Sequence, residues 1–199
     1  MFNLSQLSPS ITDMIRFDHS HVLVTFHQYT ATTKDTVKKA LADTICDALE
    51  IHATLEEEVF YPELRRLSPT GPVIQKSEPE HNEMRRMISE LRATPANDMK
   101  HDSILHELMR DVMHHVADEE TVLLPEAERM LSKERLNELG AAMTKRRLEL
   151  IKPKAAQIAK NTAVGFSGST TAIVVGLAGA LMAARFVTKK SHDMGSTHH

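Results

Sequence analysis

The sequence has no tryptophan, two tyrosines and a single cysteine, Cys46, among 199 residues. One thiol excludes an intramolecular disulfide and any Cys-rich zinc site, and it suits a reducing compartment. Charge of one sign is also missing. Lys+Arg 24 against Asp+Glu 27 leaves a net charge of -3, with no surplus positive field to hold phosphates, so no nucleic-acid partner is expected. The opening MFNLSQLSPS lacks the basic start and apolar run of a secretory signal, and the chain reads as cytoplasmic. Glycine is scarce before residue 165. Five of the seven glycines lie at or beyond Gly165, whereas all eight prolines lie at or before Pro153. That shift suggests a folded region over 1–152, a basic linker over 153–160 and a Gly/Ala-rich tail over 161–199. What is present is 41% hydrophobic residues, enough for a core, and an unusual 12 histidines.

No alternating β-branched run occurs, while helical spacing recurs. Ile15, His19, Val22, Phe26 and Tyr29 share one helix face, and Val37, Leu41, Ile45, Ala48, His52, Glu56 and Val59 share another. Ser68-Pro69-Thr70-Gly71-Pro72 marks a turn, and Ser77-Glu78-Pro79-Glu80 resembles a capping box opening a third helix through about Leu91. Thr94 to Asp98 is the next break, and Ile104, Leu108, Asp111, His115, Glu119 and Val122 form the fourth stripe. Ser132-Lys133-Glu134-Arg135 opens a fifth helix running to Lys152. The expected fold is all-α, an up-down antiparallel four-helix bundle with an extra C-terminal helix and an apolar tail helix.

Two of these core-facing stripes carry a His followed four residues later by a Glu: His52 with Glu56, and His115 with Glu119. One helical turn places each pair on the same face, about 6 Å apart along the axis. A carboxylate there must be protonated, hydrogen-bonded or bound to a metal. The pairs belong to an internal repeat. EIHATLEEEVFYPEL aligns with MHHVADEETVLLPEA, superposing His52 on His115, Glu56 on Glu119, Glu57 on Glu120 and Pro62 on Pro125. FDHSHVLVTF aligns with PEHNEMRRMI, superposing His19 on His81 and Asp18 on Glu80. Two such hairpins packed about a pseudo-twofold axis bring His19, His52, His81 and His115 together with Glu56 and Glu119. That donor set suits two metal ions, with carboxylates able to bridge. His21 and His114 are the competitors of His19 and His115, and the internal alignment favours the latter. His27, His101 and His106 have no repeat partner and read as solvated or as outer supports. Glu57 and Glu120 read as outer or surface carboxylates, and Cys46 as a small buried residue.

The order H…H-x-x-x-E…H…H-x-x-x-E, with a proline after each pair, resembles the haemerythrin-like, or HHE cation-binding, family over roughly Ser8 to Lys152. The resemblance implies a non-haem di-iron centre that cycles between Fe(II) and Fe(III). His19 and His52 would ligate one iron, His81 and His115 the other, and Glu56 and Glu119 would bridge them. It also implies a small diatomic or peroxide as ligand, with oxygen, peroxide or nitric oxide bound or sensed. Two other roles are an iron-responsive interaction module and a peroxide-consuming or oxidase enzyme. The chain departs from the oxygen-carrying branch at Arg85, where that branch has a second His one turn after the third ligand. Either one iron is more open, or a residue such as Glu57 or Glu120 completes it. The ferritin-like signature E-x-x-H occurs once, at Glu78 to His81, without the required second copy. Zinc is the competing metal.

The tail has no charged residue from Asn161 to Ala184. Its first third is rich in Gly, Ser and Thr, so the segment sits at the margin of what a bilayer-spanning helix needs. Membrane association through 161–187 is one expectation for it, and a helix folded onto the bundle or a partner subunit is the other.

Overall fold

The computed structural model describes residues 9–30, 32, 34–68 and 71–167. Among these the chain is helical with no strand: α1 Ile11–Thr30, α2 Asp35–Leu55, α3 Tyr61–Leu67, α4 Pro72–Ala93, α5 Met99–Asp118, α6 Leu124–Met130, α7 Lys133–Ile151 and α8 Ala155–Gly165. Local chemistry sets several boundaries. Asp98 caps α5 by accepting from the Lys100 amide, and Ser132 caps α7 by accepting from the Arg135 amide. Gly71 and Pro72 open α4, the proline taking a first-turn position where its missing N–H costs nothing.

Cross-helix pairs give the orientation of the rods. His19 meets Glu120 while Tyr29 meets His101, so α1 and α5 run antiparallel. Lys76 meets Asp118 while Lys100 meets Glu90, so α4 and α5 do too. His81 meets Glu57 while Arg92 meets Asp47, which orders α2 and α4 in the same way. α7 lies across α1, and Gly140 comes so close to the backbone at Pro9 and Ile11 that a side chain there would collide with it.

The apolar interior falls into two clusters. One contains Val22, Leu41, Ile45, Ile88 and Leu108; the other contains Ile15, Leu55, Ile74, Leu124 and Leu139. On α1, α4 and α5 the sequence-predicted His and Glu positions fall between residues of the two clusters, and along α2 and just past its end His52 and Glu56 are interleaved with Ile51, Leu55 and Phe60 of the second. The bundle is thus two apolar blocks separated by one polar layer.

Three features differ from the sequence expectation. First, α4 begins at Pro72 rather than Ser77 and continues through Pro79. Pro79 faces solvent, so water can reach the carbonyl it leaves without a donor, while Val73, Ile74, Ser77 and His81 are buried on the opposite face. Second, α2 and α5 each pass into a five-residue π-turn, Glu56–Phe60 and Glu119–Leu123. The Tyr61 amide donates to the Glu56 carbonyl and the Leu124 amide to the Glu119 carbonyl, five residues back in both cases. The next residue is proline each time, Pro62 and Pro125. A proline ring crowds the carbonyl four residues earlier, and the wider turn relieves that contact. Third, the stretch expected as a linker is a 3-10 turn at Lys152–Lys154 followed by α8. α8 packs on α2, with Gly165 in close contact, where a Cβ would lie 2.8 Å from Leu41 Cδ2 and press that side chain aside. Phe166 joins the first apolar cluster. The start of the expected tail is therefore part of the bundle, as one of its two readings had it. No helix of the described residues is long and apolar enough to cross a membrane. The proposed tether's remaining residues, 168–187, lie outside those described.

The burial of Phe166 leads to a stability test. Phe166→Ala is expected to cost about 3–5 kcal/mol in denaturant unfolding. A chain ending at Lys160 should unfold well before one ending at Ser167.

Candidate metal centre

The polar layer gathers the six expected side chains. α1 supplies His19, α2 supplies His52 and hands on to Glu56, α4 supplies His81, and α5 supplies His115 and hands on to Glu119. All six are buried, and Glu56 and Glu119 are at 0% exposure. Glu56 Oε2 lies 3.3 Å from His52 Nε2, 3.4 Å from His81 Nε2 and 3.9 Å from His115 Nε2. Glu119 Oε2 lies 3.3 Å from His19 Nε2 and 3.6 Å from His115 Nε2. Each carboxylate thus faces imidazoles from both helical hairpins, which is where a bridging group has to sit. The donors form two sets sharing Glu56: His19, His52, Glu56 and Glu119, and Glu56, His81 and His115. Within each set the ligand atoms lie within 4.8 Å of one another.

The residues fit a pair of cations. His19 Nε2, His52 Nε2, Glu56 Oε1 and Glu119 Oε2 are buried with no hydrogen-bond partner, and such a group costs about 1–3 kcal/mol if nothing satisfies it. His81 Nε2 and His115 Nε2 face each other at 3.1 Å, which requires a proton between them when no metal is bound. Burial opposes a charge on His115, yet Glu56, Glu80 and Glu119 outweigh it and push its pKa up to about 10. Burial likewise opposes the Glu56 carboxylate, while His52, His115 and His81 hold it well below the ordinary range. The layer is built for positive charge.

The outer nitrogen of every imidazole is occupied. His19 Nδ1 pairs with Glu120 at 2.8 Å, His52 Nδ1 with Asp18 at 3.4 Å, His81 Nδ1 with Glu57 at 2.9 Å and His115 Nδ1 with Glu80 at 2.9 Å. A carboxylate on Nδ1 fixes the tautomer that turns the Nε2 lone pair toward the centre and raises its basicity. Two of these four carboxylates, Glu57 and Glu120, come from the π-turns. In each of them the first Glu points inward and the second reaches a His on a neighbouring helix. Glu57 and Glu120, considered as completing ligands, thus support imidazoles from behind, and Arg85 holds Glu57 at 2.8 Å instead of entering the centre.

Of the competing histidines, His114 is exposed and His21 half-buried, whereas His115 and His19 lie in the layer. His27 and His106 are exposed. His101 departs from its expected solvated or supporting place: it is buried in a separate network with Tyr29, one end of which is the Asp102 carboxylate paired with Lys38. Cys46 is buried in the apolar core, where burial pushes its thiol up to about 12. One site residue was not anticipated. The Tyr61 hydroxyl lies 3.0 Å from Glu56 Oε2 and 2.9 Å from Glu119 Oε1, as their shared donor. Burial, then the Glu56 and Glu119 carboxylates, keep this phenol protonated far above its usual range. Its signal was in the internal alignment, where Tyr61 stands opposite Leu124 beside otherwise matched prolines.

The sequence profile of the Hemerythrin HHE cation binding domain matches residues 10–152. The chain belongs to this family. The match takes in the four rods and α7 and leaves α8 outside it. A DNA nickase of Nostoc sp. (strain PCC 7120 / SAG 25.82 / UTEX 2576) is 30% identical over 125 residues, which are 63% of this chain and 35% of that protein. The chain therefore spans about a third of that relative's length. No solved structure matches the chain.

Within this haemerythrin domain, Glu56→Ala or Glu119→Ala is expected to abolish metal retention, measured as metal per chain after desalting. Glu57→Ala or Glu120→Ala should weaken affinity by about 10–100-fold, as loss of an outer partner does. His19→Ala and His115→Ala should lose metal where His21→Ala and His114→Ala do not. Tyr61→Phe removes the donor shared by two buried carboxylates and should lower the stability of the metal-free fold by about 1–3 kcal/mol in denaturant titration.

Proposed function

We propose that this haemerythrin-like protein holds two non-haem iron ions and uses them to bind or sense oxygen, peroxide or nitric oxide. His19 and His52 would hold one ion, His81 and His115 the other, and Glu56 and Glu119 both. The observation that carries this reading is the convergence of four outwardly braced imidazoles on two fully buried carboxylates with unpaired oxygens. Bound iron would supply one-electron redox chemistry and a coordination position for a small molecule.

The chain's own residues set the conditions around that position. A cavity about the size of one water molecule adjoins the imidazoles and is roofed by Val22, Leu49, Ala53, Met84, Val112 and Val116. A space this small favours a diatomic or peroxide ligand over a larger substrate. Its apolar walls keep bulk water away and strengthen each electrostatic contact inside. Tyr61 supplies the one hydroxyl proton directed at the two shared carboxylates. With a net charge of -3, the chain offers no surplus positive field for DNA or RNA, so the ligand proposed is a small molecule. We place the bundle in the cytoplasm, in keeping with its lone unpaired thiol.

The test is metal analysis of protein expressed in iron-replete medium, followed by optical spectra with and without oxygen. About two irons per chain are expected, with a visible band that changes reversibly on oxygen removal. Stoichiometric zinc without iron would reject the reading. Iron with no response to oxygen, peroxide or nitric oxide would leave the metal as a structural or iron-responsive element, and sustained peroxide turnover would make the protein an enzyme.

A further inference from the structure

The two halves of the centre are supported differently. In the second half the outer carboxylate Glu80, which braces His115, is approached at 3.7 Å by Lys76 from one turn earlier on its own helix. The internal alignment places Met14 opposite Lys76, so the first half has no cation at that position. Met14 is buried instead and touches Thr144 of α7. The cation for the first half comes from the same added helix. Arg147 donates to both oxygens of Asp18, Nη1 to Oδ1 at 2.7 Å and Nη2 to Oδ2 at 2.6 Å, and Asp18 in turn braces His52. A planar guanidinium locked two-point onto a carboxylate fixes that carboxylate's orientation in a way a lysine does not. Arg147 Nε is buried without a partner, so the side chain is held in place by its contact with Asp18 rather than by an exposed alternative.

We propose that Arg147 is a positioning residue for the His52 half of the centre, and that metal loading and docking of α7 onto the bundle are one linked equilibrium. The proposal rests on the metal-centre reading above and adds to it a route out of the site. The route runs from His52 through Asp18 and Arg147 to α7, and from α7 through Pro153 to α8. Linkage is reciprocal: if docked α7 favours the metal-ready His52, then bound metal must favour docked α7 by the same factor. Helix α7 packs on α1 and on α2 with its π-turn, and it buries Leu136, Leu139 and Met143 there. Its Arg146–Glu58 pair is open to solvent screening and its Arg135 pair ends on the buried Glu63. The Arg147–Asp18 pair is the one that leads from α7 to a histidine of the centre.

The experiment uses the full chain, metal-free and loaded anaerobically with Fe(II), and reads amide hydrogen exchange in α7 and α8 together with Fe(II) affinity by chelator competition. Loading is expected to slow exchange in α7 about 10-fold or more in the wild type. Arg147→Gln should weaken Fe(II) binding about 10–100-fold and make exchange in α7 insensitive to iron. Arg147→Lys should recover part of the affinity, and it serves as the folded comparison should the glutamine variant not fold. Arg146→Ala, which loses only surface partners, Glu58 and Glu149, should leave affinity and the iron-dependent protection unchanged. Wild-type protein that loads iron with no change in α7 exchange would overturn the coupling alone. An Arg147 variant with wild-type affinity and intact iron-dependent protection would overturn it as well. A wild type that takes up no Fe(II) would overturn the metal-centre reading and the coupling with it.

Discussion

Two carboxylates with no access to water, Glu56 and Glu119, are the constraint on which the rest of this structure depends. An ionised carboxyl group in an apolar interior is too costly unless positive charge or donors surround it. Here the surroundings are four imidazoles, one phenol and, behind the imidazoles, a ring of carboxylates that makes each His a better donor of electron pairs. The apolar residues are divided into two blocks because this layer has to pass between them. The π-turns are part of the same solution. They relieve the crowding by Pro62 and Pro125 just where the chain passes the layer, starting at Glu56 and Glu119 themselves.

The approximate twofold symmetry of the centre is broken in ways that assign separate tasks to its halves. Tyr61 stands where the repeat has Leu124, giving the shared carboxylates a hydroxyl from one side only. Met14 stands where the repeat has Lys76, leaving room for α7 to cover the first half and to contribute Arg147. Arg85 stands opposite Leu23 and ties down Glu57. An internally duplicated scaffold thus carries an asymmetric site, and the asymmetry lies in residues beside the ligands, not in the ligands themselves.

Much of the centre was legible in the sequence because its signal is periodic. Steps of three and four residues put His19, His52, His81 and His115 on the apolar faces, and the repeat separated His19 from His21 and His115 from His114. Residues whose role depends on a neighbour distant in the chain left little or no such trace. Asp18 was visible as the acidic neighbour of His19, yet its partner proved to be His52 on the next helix. Tyr61 and Arg147 act on groups they reach only after the rods have packed. His101 looked like a polar residue without support, and a tyrosine from α1 made it a buried one.

The start of α4 shows the limit of local rules. Ser77 to Glu80 has the composition of a helix N-terminus, but the burial of Val73, Ile74 and Ser77 outweighed it and carried the helix through Pro79. Likewise the Lys-rich stretch after Pro153 read as a linker until α8 docked on α2 at Gly165. By itself, the sequence determined the all-helical class, the four-rod order and the six residues aimed at one level, since these follow from helical period and internal repetition. Which carboxylate braces which histidine, where the π-turns fall, and that α8 belongs to the same body were decided only by tertiary packing. Those outcomes depend on how side chains from separate helices share one buried, low-dielectric space, and no spacing along a single helix encodes that.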